Sequence, residues 1–497
     1  MKEPEPDLEW EEDEKMNIRA FSLAGLGVLL AGLWLATAGP AGAAMTFESE
    51  EMGTFAISGK IQAAFGATQY LDFVDGPAGR ALDSDFDATR ELSLKFEWST
   101  SEYLKAVASF QIGEGSTGGY FGSTDALVGG EEDGDLILEL DNLYFDFTIP
   151  DTGMNVKVGS QGTVFADLIY GSHLMYEVPA GVDFSMPFND MVGMRAAWYR
   201  MTDLMDDTET NMDDQADLFY LETPIKVPGF SISPYAAFAN IQEDVVRNAP
   251  SYFRYSYLNY PGLLQGTLDS LPDRDAVNPV DAVTAYYLGA ALNWDALDPL
   301  RVRATATWGD MDWETENVDA SIAGYFADLV VDYKMDKVTP EFFAFYGNGP
   351  DQNDEDLDMM PVLIGGPTYT TSYFGGSRYN DNLFDSHDAL YAVSMWAAGF
   401  KLKDIHLAKK LTNEFQIMYA EGTAEDTIFQ APYDMLMNED ESFVEVNFNT
   451  EYEIIDNFIG AVELGYITFD EDSDYDEAEN GSVEDFWKVA FSLEYSF

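Results

Sequence analysis

Apolar and polar side chains alternate with a period of two through much of this 497-residue chain, and no other feature restricts its fold as strongly. In ELSLKFEW (91–98), Leu92, Leu94, Phe96 and Trp98 share one strand face while Glu91, Ser93, Lys95 and Glu97 share the other. FAISGKIQAAFGAT (55–68) sets Phe55, Ile57, Ile61 and Phe65 against Ser58, Lys60 and Gln62. In the segment 301–308, Val302, Ala304, Ala306 and Trp308 oppose Arg301, Arg303, Thr305 and Thr307. Such segments are half-buried strands. Their connections alternate too. Short polar turns (STSE 99–102, PDTG 150–153, PFND 187–190, DALDP 295–299, MDKV 335–338, IIDN 454–457) alternate with long segments near 68–88, 113–135, 162–178, 202–214, 242–282, 310–319, 348–387, 422–441 and 470–484. TPIKVPG and KLKDIHLAKKLTN are the longer members of the short series.

A soluble sandwich can repeat strands every ten residues or so, but it has no reason to sort its connections into two alternating length classes. An all-β transmembrane antiparallel up-and-down barrel does, with tight periplasmic turns and long external loops. About 18 strands are expected, with 16 as the alternative. Aromatic residues near strand ends (Trp98, Phe147, Trp198, Trp294, Trp308, Trp396) fit interfacial girdles.

Charge narrows the function. With 25 Lys+Arg against 90 Asp+Glu, the chain carries −65, which excludes nucleic acid as a partner because phosphate binding needs clustered cations. No cysteine is present and only three histidines are, so disulfide scaffolds, thiolate metal sites and cysteine nucleophiles are ruled out. Such acidity often accompanies disorder, yet 34 Phe, 28 Tyr and 9 Trp point to a folded chain.

The N-terminus addresses the compartment. Residues 20–36 are an apolar run preceded by Arg19 and followed by the small-x-small site Ala41-Gly42-Ala43, the pattern of a secretory signal peptide over 16–43. Residues 1–15 are acidic where a leader should be basic, so Met16 is the expected start. The mature chain, 44–497, is then a single barrel domain. Removing the first 43 residues leaves a net charge of about −60.

The chain ends WKVAFSLEYSF. Trp487, Val489, Phe491, Leu493, Tyr495 and Phe497 share one face. A terminal Phe with an aromatic two residues earlier resembles the β-signal that the barrel-assembly machinery reads in Gram-negative outer-membrane proteins, carried here by Phe491, Leu493, Tyr495 and Phe497. LYFDFTIPDTGMNVKVGSQ (143–161) and PFNDMVGMRAAWYR (187–200) resemble segments of the homotrimeric outer-membrane porins of sulfate-reducing bacteria. The resemblance implies a homotrimer of water-filled barrels in the outer membrane, among lipid and lipopolysaccharide, passing ions and small hydrophilic solutes by diffusion.

Parity places Lys60, Lys95, Lys105, Lys157, Arg195, Arg301 and Arg303 on the lumenal face, where they could form a basic ladder or simply avoid lipid. The third long connection, about 162–178, is apolar where its sisters are acidic, so it is expected to fold inward as a constriction with Asp167 and Glu177 facing those cations. A trimer neighbour is the other surface it could pack on. The negative mouth favours cations. A substrate-selective channel for sugars or carboxylates is the alternative. An enzyme is not expected, since the adjacent Ser172 and His173 are weak grounds for a triad. A structural or receptor barrel is a further alternative. No cofactor is expected. Two acidic runs containing Asp354, Asp356, Asp472 and Asp474 could hold Ca²⁺ or Mg²⁺, but they lack the EF-hand glycine and twelfth-position Glu, and a solvated acidic surface explains them as well.

Overall fold

In a computed structural model, the chain is described at residues 44–49, 53–69, 85–112, 138–162, 165–166, 168–171, 174, 178–203, 215–242, 282–314, 320–349, 358–363, 368–374, 377, 394–425, 439–470 and 485–497. Twenty strands lie in a single antiparallel sheet. In chain order they are β1 (Met45–Ser49), β2 (Gly53–Gln69), β3 (Asp85–Ser101), β4 (Leu104–Ile112), β5 (Leu138–Ile149), β6 (Met154–Ser160), β7 (Ala180–Pro187), β8 (Gly193–Asp203), β9 (Gln215–Glu222) and β10 (Ile225–Val227). The second half comprises β11 (Phe230–Ile241), β12 (Ala282–Leu297), β13 (Leu300–Glu314), β14 (Ala320–Tyr333), β15 (Thr339–Gly347), β16 (Met395–Ala408), β17 (Leu411–Gly422), β18 (Ser442–Ile455), β19 (Phe458–Asp470) and β20 (Phe486–Ser496).

Each strand from β1 to β9 and from β10 to β20 pairs with the next, β9 pairs with β11 past β10, and β20 returns to β2, so 18 strands close into a barrel and the 16-strand alternative falls. β1 and β10 are short additions. β1 covers the stretch of β2 below its contact with β20, and β10 prolongs β9 beyond the interruption at Thr223-Pro224, where proline cannot donate to the ladder. Alternating short and long connections put all the tight turns at one rim. Their local chemistry suits them: Asp151 and Asn457 adopt φ values of 63° and 61°, which short polar side chains tolerate better than most.

The seam is closed by the terminal residue. The Gly59 N–H donates to the Phe497 carbonyl at 2.8 Å and the Phe497 N–H returns to the Gly59 carbonyl at 2.9 Å. A Cβ on Gly59 would lie 2.5 Å from the Ser93 carbonyl oxygen and 2.7 Å from the Phe497 ring, so the seam requires glycine.

Ile61, Trp98, Phe145, Phe219, Leu288, Trp308 and Phe491 are exposed on the outer face, while their neighbours in sequence point inward. Trp294 is also exposed outside; Phe147, Trp198 and Trp396 are half-buried. The polar-inside rule does not hold over the whole height. Toward the long-loop rim, Ile241, Val283, Met311, Ile322 and Phe345 face inward and are buried, because segments of the long connections pack against them. No described helix is long and apolar enough to cross a membrane.

Replacing Gly59 with Leu should prevent closure. In unheated denaturing gels, the fraction migrating as the compact barrel is expected to fall several-fold, with Ala63→Leu on the same outward face showing little change.

Candidate functional site

The inner wall carries a belt of paired charges. On β7 and β8 the Arg195 guanidinium donates to Asp183 at 2.8 Å and lies 3.8 Å from Glu222, and the Tyr199 hydroxyl also donates to Asp183 at 2.9 Å. Cross-strand register explains the grouping: Lys105 faces Asp146, Asp146 faces Lys157, Lys157 faces Asp183, and Arg195 faces Glu222. A second group occupies β13 to β16. Arg301 and Arg303 reach Asp332 at 3.0 and 3.4 Å, and Arg303 reaches Glu341 at 3.3 Å. Glu341, 0% exposed, also accepts from Lys403 and from the Tyr170 hydroxyl. The oxygens of a buried carboxylate need such a set of donors to replace the hydrogen bonds of water.

Two segments of the long connections enter the barrel. In the third, Phe165 lies 4.6 Å from the Tyr220 ring and meets Tyr199 edge-on at 6.3 Å. Tyr170 then reaches the β15–β16 wall, where Lys401 sits 4.1 Å above its ring. Burial first, and then the Glu341 carboxylate, hold the Tyr170 hydroxyl protonated far above the usual phenol range, so it remains a donor. The segment therefore spans from β8–β9 to β15–β16. Asp167 and Glu177, expected at the constriction, and Ser172 and His173 lie outside the described residues.

The second segment belongs to the seventh long connection, expected from sequence to be an acidic external loop. Its residues 359–363 and 369–374 are instead buried inside the barrel. The Thr368 N–H donates to the Tyr170 carbonyl at 2.7 Å, joining the two segments. The Tyr369 hydroxyl donates to Asp328 at 3.0 Å and the Thr370 hydroxyl to Glu445 at 2.7 Å; Glu445 also accepts the Ser372 N–H at 3.0 Å. Lys488 donates to the Thr371 carbonyl and pairs with Glu463 at 3.3 Å. The wall is cut to receive this segment. A Cβ on Gly324 would lie 2.5 Å from the Met359–Met360 backbone, and one on Gly465 would lie 1.9 Å from Ser372 Oγ.

Of the wall cations expected from sequence, Lys60 pairs with Glu91 at 3.0 Å, and Lys95 and Lys105 share Glu97 at 3.4 and 3.3 Å. Lys157 lies 5.9 Å above the Tyr144 ring. The side chains of Lys60, Lys95, Lys105 and Arg301 remain a third to a half exposed. Sequence reasoning missed their partners Asp183, Glu222, Asp332 and Glu341, and the Lys401, Glu445 and Lys488 positions that dock the inward segments. Parity on those strands would have revealed the carboxylates, and MMPVL (359–363) and TYTTSYF (368–374) carry the same apolar signal that marked the third connection. Asp354, Asp356, Asp472 and Asp474 lie outside the described residues, and among the described residues no group of three or more His, Asp or Glu is placed to hold a metal.

No family model matches the chain, and no curated protein does. Solved structures do. Pseudomonas aeruginosa OccK9 (OpdG) superposes with a TM-score of 0.51 at 10% identity, covering 89% of this chain and 98% of that one. Acinetobacter baumannii OccAB2 gives 0.50 at 11%, covering 89% and 98%. The outer membrane protein OprD of Pseudomonas aeruginosa gives 0.47 at 12%, covering 91% and 95%. At these identities the likeness is one of fold. The comparisons bring no link to the porins of sulfate-reducing bacteria.

Gly465→Leu should expel residues 370–374 from the wall, whereas Gly460→Leu, where the nearest atoms to a Cβ stand at 3.4 and 3.5 Å, should not. Limited proteolysis of the intact barrel is expected to cut within 358–377 several-fold faster in the first variant only.

Proposed function

We propose that this protein is a substrate-selective channel of the Gram-negative outer membrane, admitting small hydrophilic solutes that carry a carboxylate. The observation that carries the reading is the interior itself. A closed barrel is occupied by two segments bonded to its wall, and on the same inner face Lys60, Lys95, Lys105 and Arg301 keep a third to a half of their side chains exposed. A general diffusion pore needs only a ring of charge to bias ions. Here two connections are anchored by buried carboxylates, which restricts both the size and the chemistry of what passes.

The net charge of −65 by itself favours cations at the mouth, and that is the ground for the second reading, a general cation-preferring pore. In a low-dielectric constriction, nearby fixed charges outweigh distant screened ones, so the wall cations govern selection. Assembly fits the same reading. The outward face of β20 with Phe491, Leu493 and Tyr495, continued by the terminal Phe497, is the segment offered to the barrel-assembly machinery. β6 and β7, with 7 and 8 residues, are adjacent and shorter than the roughly 9–11 residues of a typical membrane strand, which suits burial against a second copy in a homotrimer.

Liposome swelling provides the test. Small mono- and dicarboxylates should enter several-fold faster than neutral sugars of equal size, and Lys60→Gln, Lys95→Gln and Lys105→Gln combined should remove that advantage. Equal rates for carboxylates and sugars, with a cation-dominated reversal potential in a salt gradient, would return the protein to the general-pore reading. Tyr170→Phe removes the bond to Glu341 and should raise single-channel conductance noise in planar bilayers while leaving the barrel folded.

A further inference from the structure

The short-turn rim carries a cationic patch that the channel does not use. The β14–β15 turn and the β16–β17 turn lie side by side, joined by the His406 N–H donating to the Lys337 carbonyl at 3.1 Å. They hold Lys334, Lys337, Lys409 and Lys410. Lys410 is directed to the next turn, 3.7 Å from Glu453 and 3.6 Å from Asp456. Asp404, which accepts the Thr339 hydroxyl at 2.9 Å, and Asp336 are the two exposed carboxylates of this pair of turns, against the three lysines Lys334, Lys337 and Lys409. Lys334, Lys337 and Lys409 are exposed and make no ion pair with any described residue. Beside them Leu407 is 76% and Met335 43% exposed.

From this we infer that the two turns form a docking surface for peptidoglycan, whose stem peptides present free carboxylates and short alkyl side chains. The inference rests on the outer-membrane reading, which places short turns on the periplasmic side. An anionic polymer is repelled by a chain of net charge −65, so it can approach only where cations are locally in excess. Neighbouring turns lie within a Debye length of about 8–10 Å, so the three ammonium groups act together. The exposed Leu407 and Met335 supply apolar contact at the same place, which a merely solvating lysine cluster would not need. The other short turns have the opposite character: Glu102, Asp151, Asp190, Asp295 with Asp298, and Asp456 are acidic, with Lys226 the cation on the β9–β11 connection.

The test is co-sedimentation of the full-length protein, in detergent, with purified sacculi. Wild-type protein should pellet, and the bound fraction should fall about fivefold or more when salt is raised from about 50 to 300 mM. The variant carrying Lys334→Gln, Lys337→Gln and Lys409→Gln should lose the binding, Lys226→Gln should keep it, and amidation of the sacculus carboxylates should abolish it. Equal pelleting of wild type and triple variant, binding that survives amidation, or preference for phosphatidylglycerol vesicles over sacculi would overturn the inference. Bilayer recordings on the same preparations separate it from the channel reading. A protein that conducts but ignores sacculi defeats the docking surface alone, and one that binds sacculi without conducting defeats the channel alone.

Discussion

Backbone hydrogen bonding without an open edge is the constraint on which the structure depends. In hydrocarbon an unpaired N–H or C=O costs several kcal/mol, so a sheet that crosses a membrane must close. Here the closure is made by β20 on β2 and completed by the reciprocal bonds between Gly59 and Phe497. The aromatic terminus and the glycine opposite it are therefore two halves of one device. Because closure consumes the backbone, the side chains inside are free to specialise, and the interior can carry charges that an ordinary core could not hold.

Those charges have a structural task as well as an electrostatic one. Glu341 and Glu445 are 0% exposed, and each accepts from a segment that enters the barrel from the long-loop rim. Arg303 and Lys403 neutralise the first. Removing one cation of such a group would leave a fully buried carboxylate short of a donor, which is destabilising. The inward segments are thus fixed to the wall by the same residues that determine the local field, which ties the shape of the passage to its charge. The glycines at 324 and 465 supply the remaining condition, space for the incoming backbone.

Much of the barrel was legible in the sequence. Period two, loop sorting and the terminal aromatic face follow directly from a wall with lipid on one side and water on the other, and each leaves its mark within a few residues of itself. The third connection stands out in the sequence for a related reason: Phe165, Leu168 and Tyr170 have no place in water. The seventh connection was not recognised, since its apolar stretches, 359–363 and 368–374, are divided and flanked by acidic and glycine-rich runs that dominate its composition. Nor could parity alone show that the wall cations are paired. Arg195 meets Asp183 and Arg303 meets Asp332 only through the register of neighbouring strands.

The amino-acid sequence by itself determined the class of solution: an acidic, aromatic chain of alternating strands whose only stable form in a membrane is a closed barrel. Alternation and turn chemistry are local, so they can be read one strand at a time. The tertiary structure alone decided that the count is 18, that two connections share the interior, and which carboxylate faces which cation. These depend on closure and stagger, which are properties of all the strands together, and no window of sequence contains them.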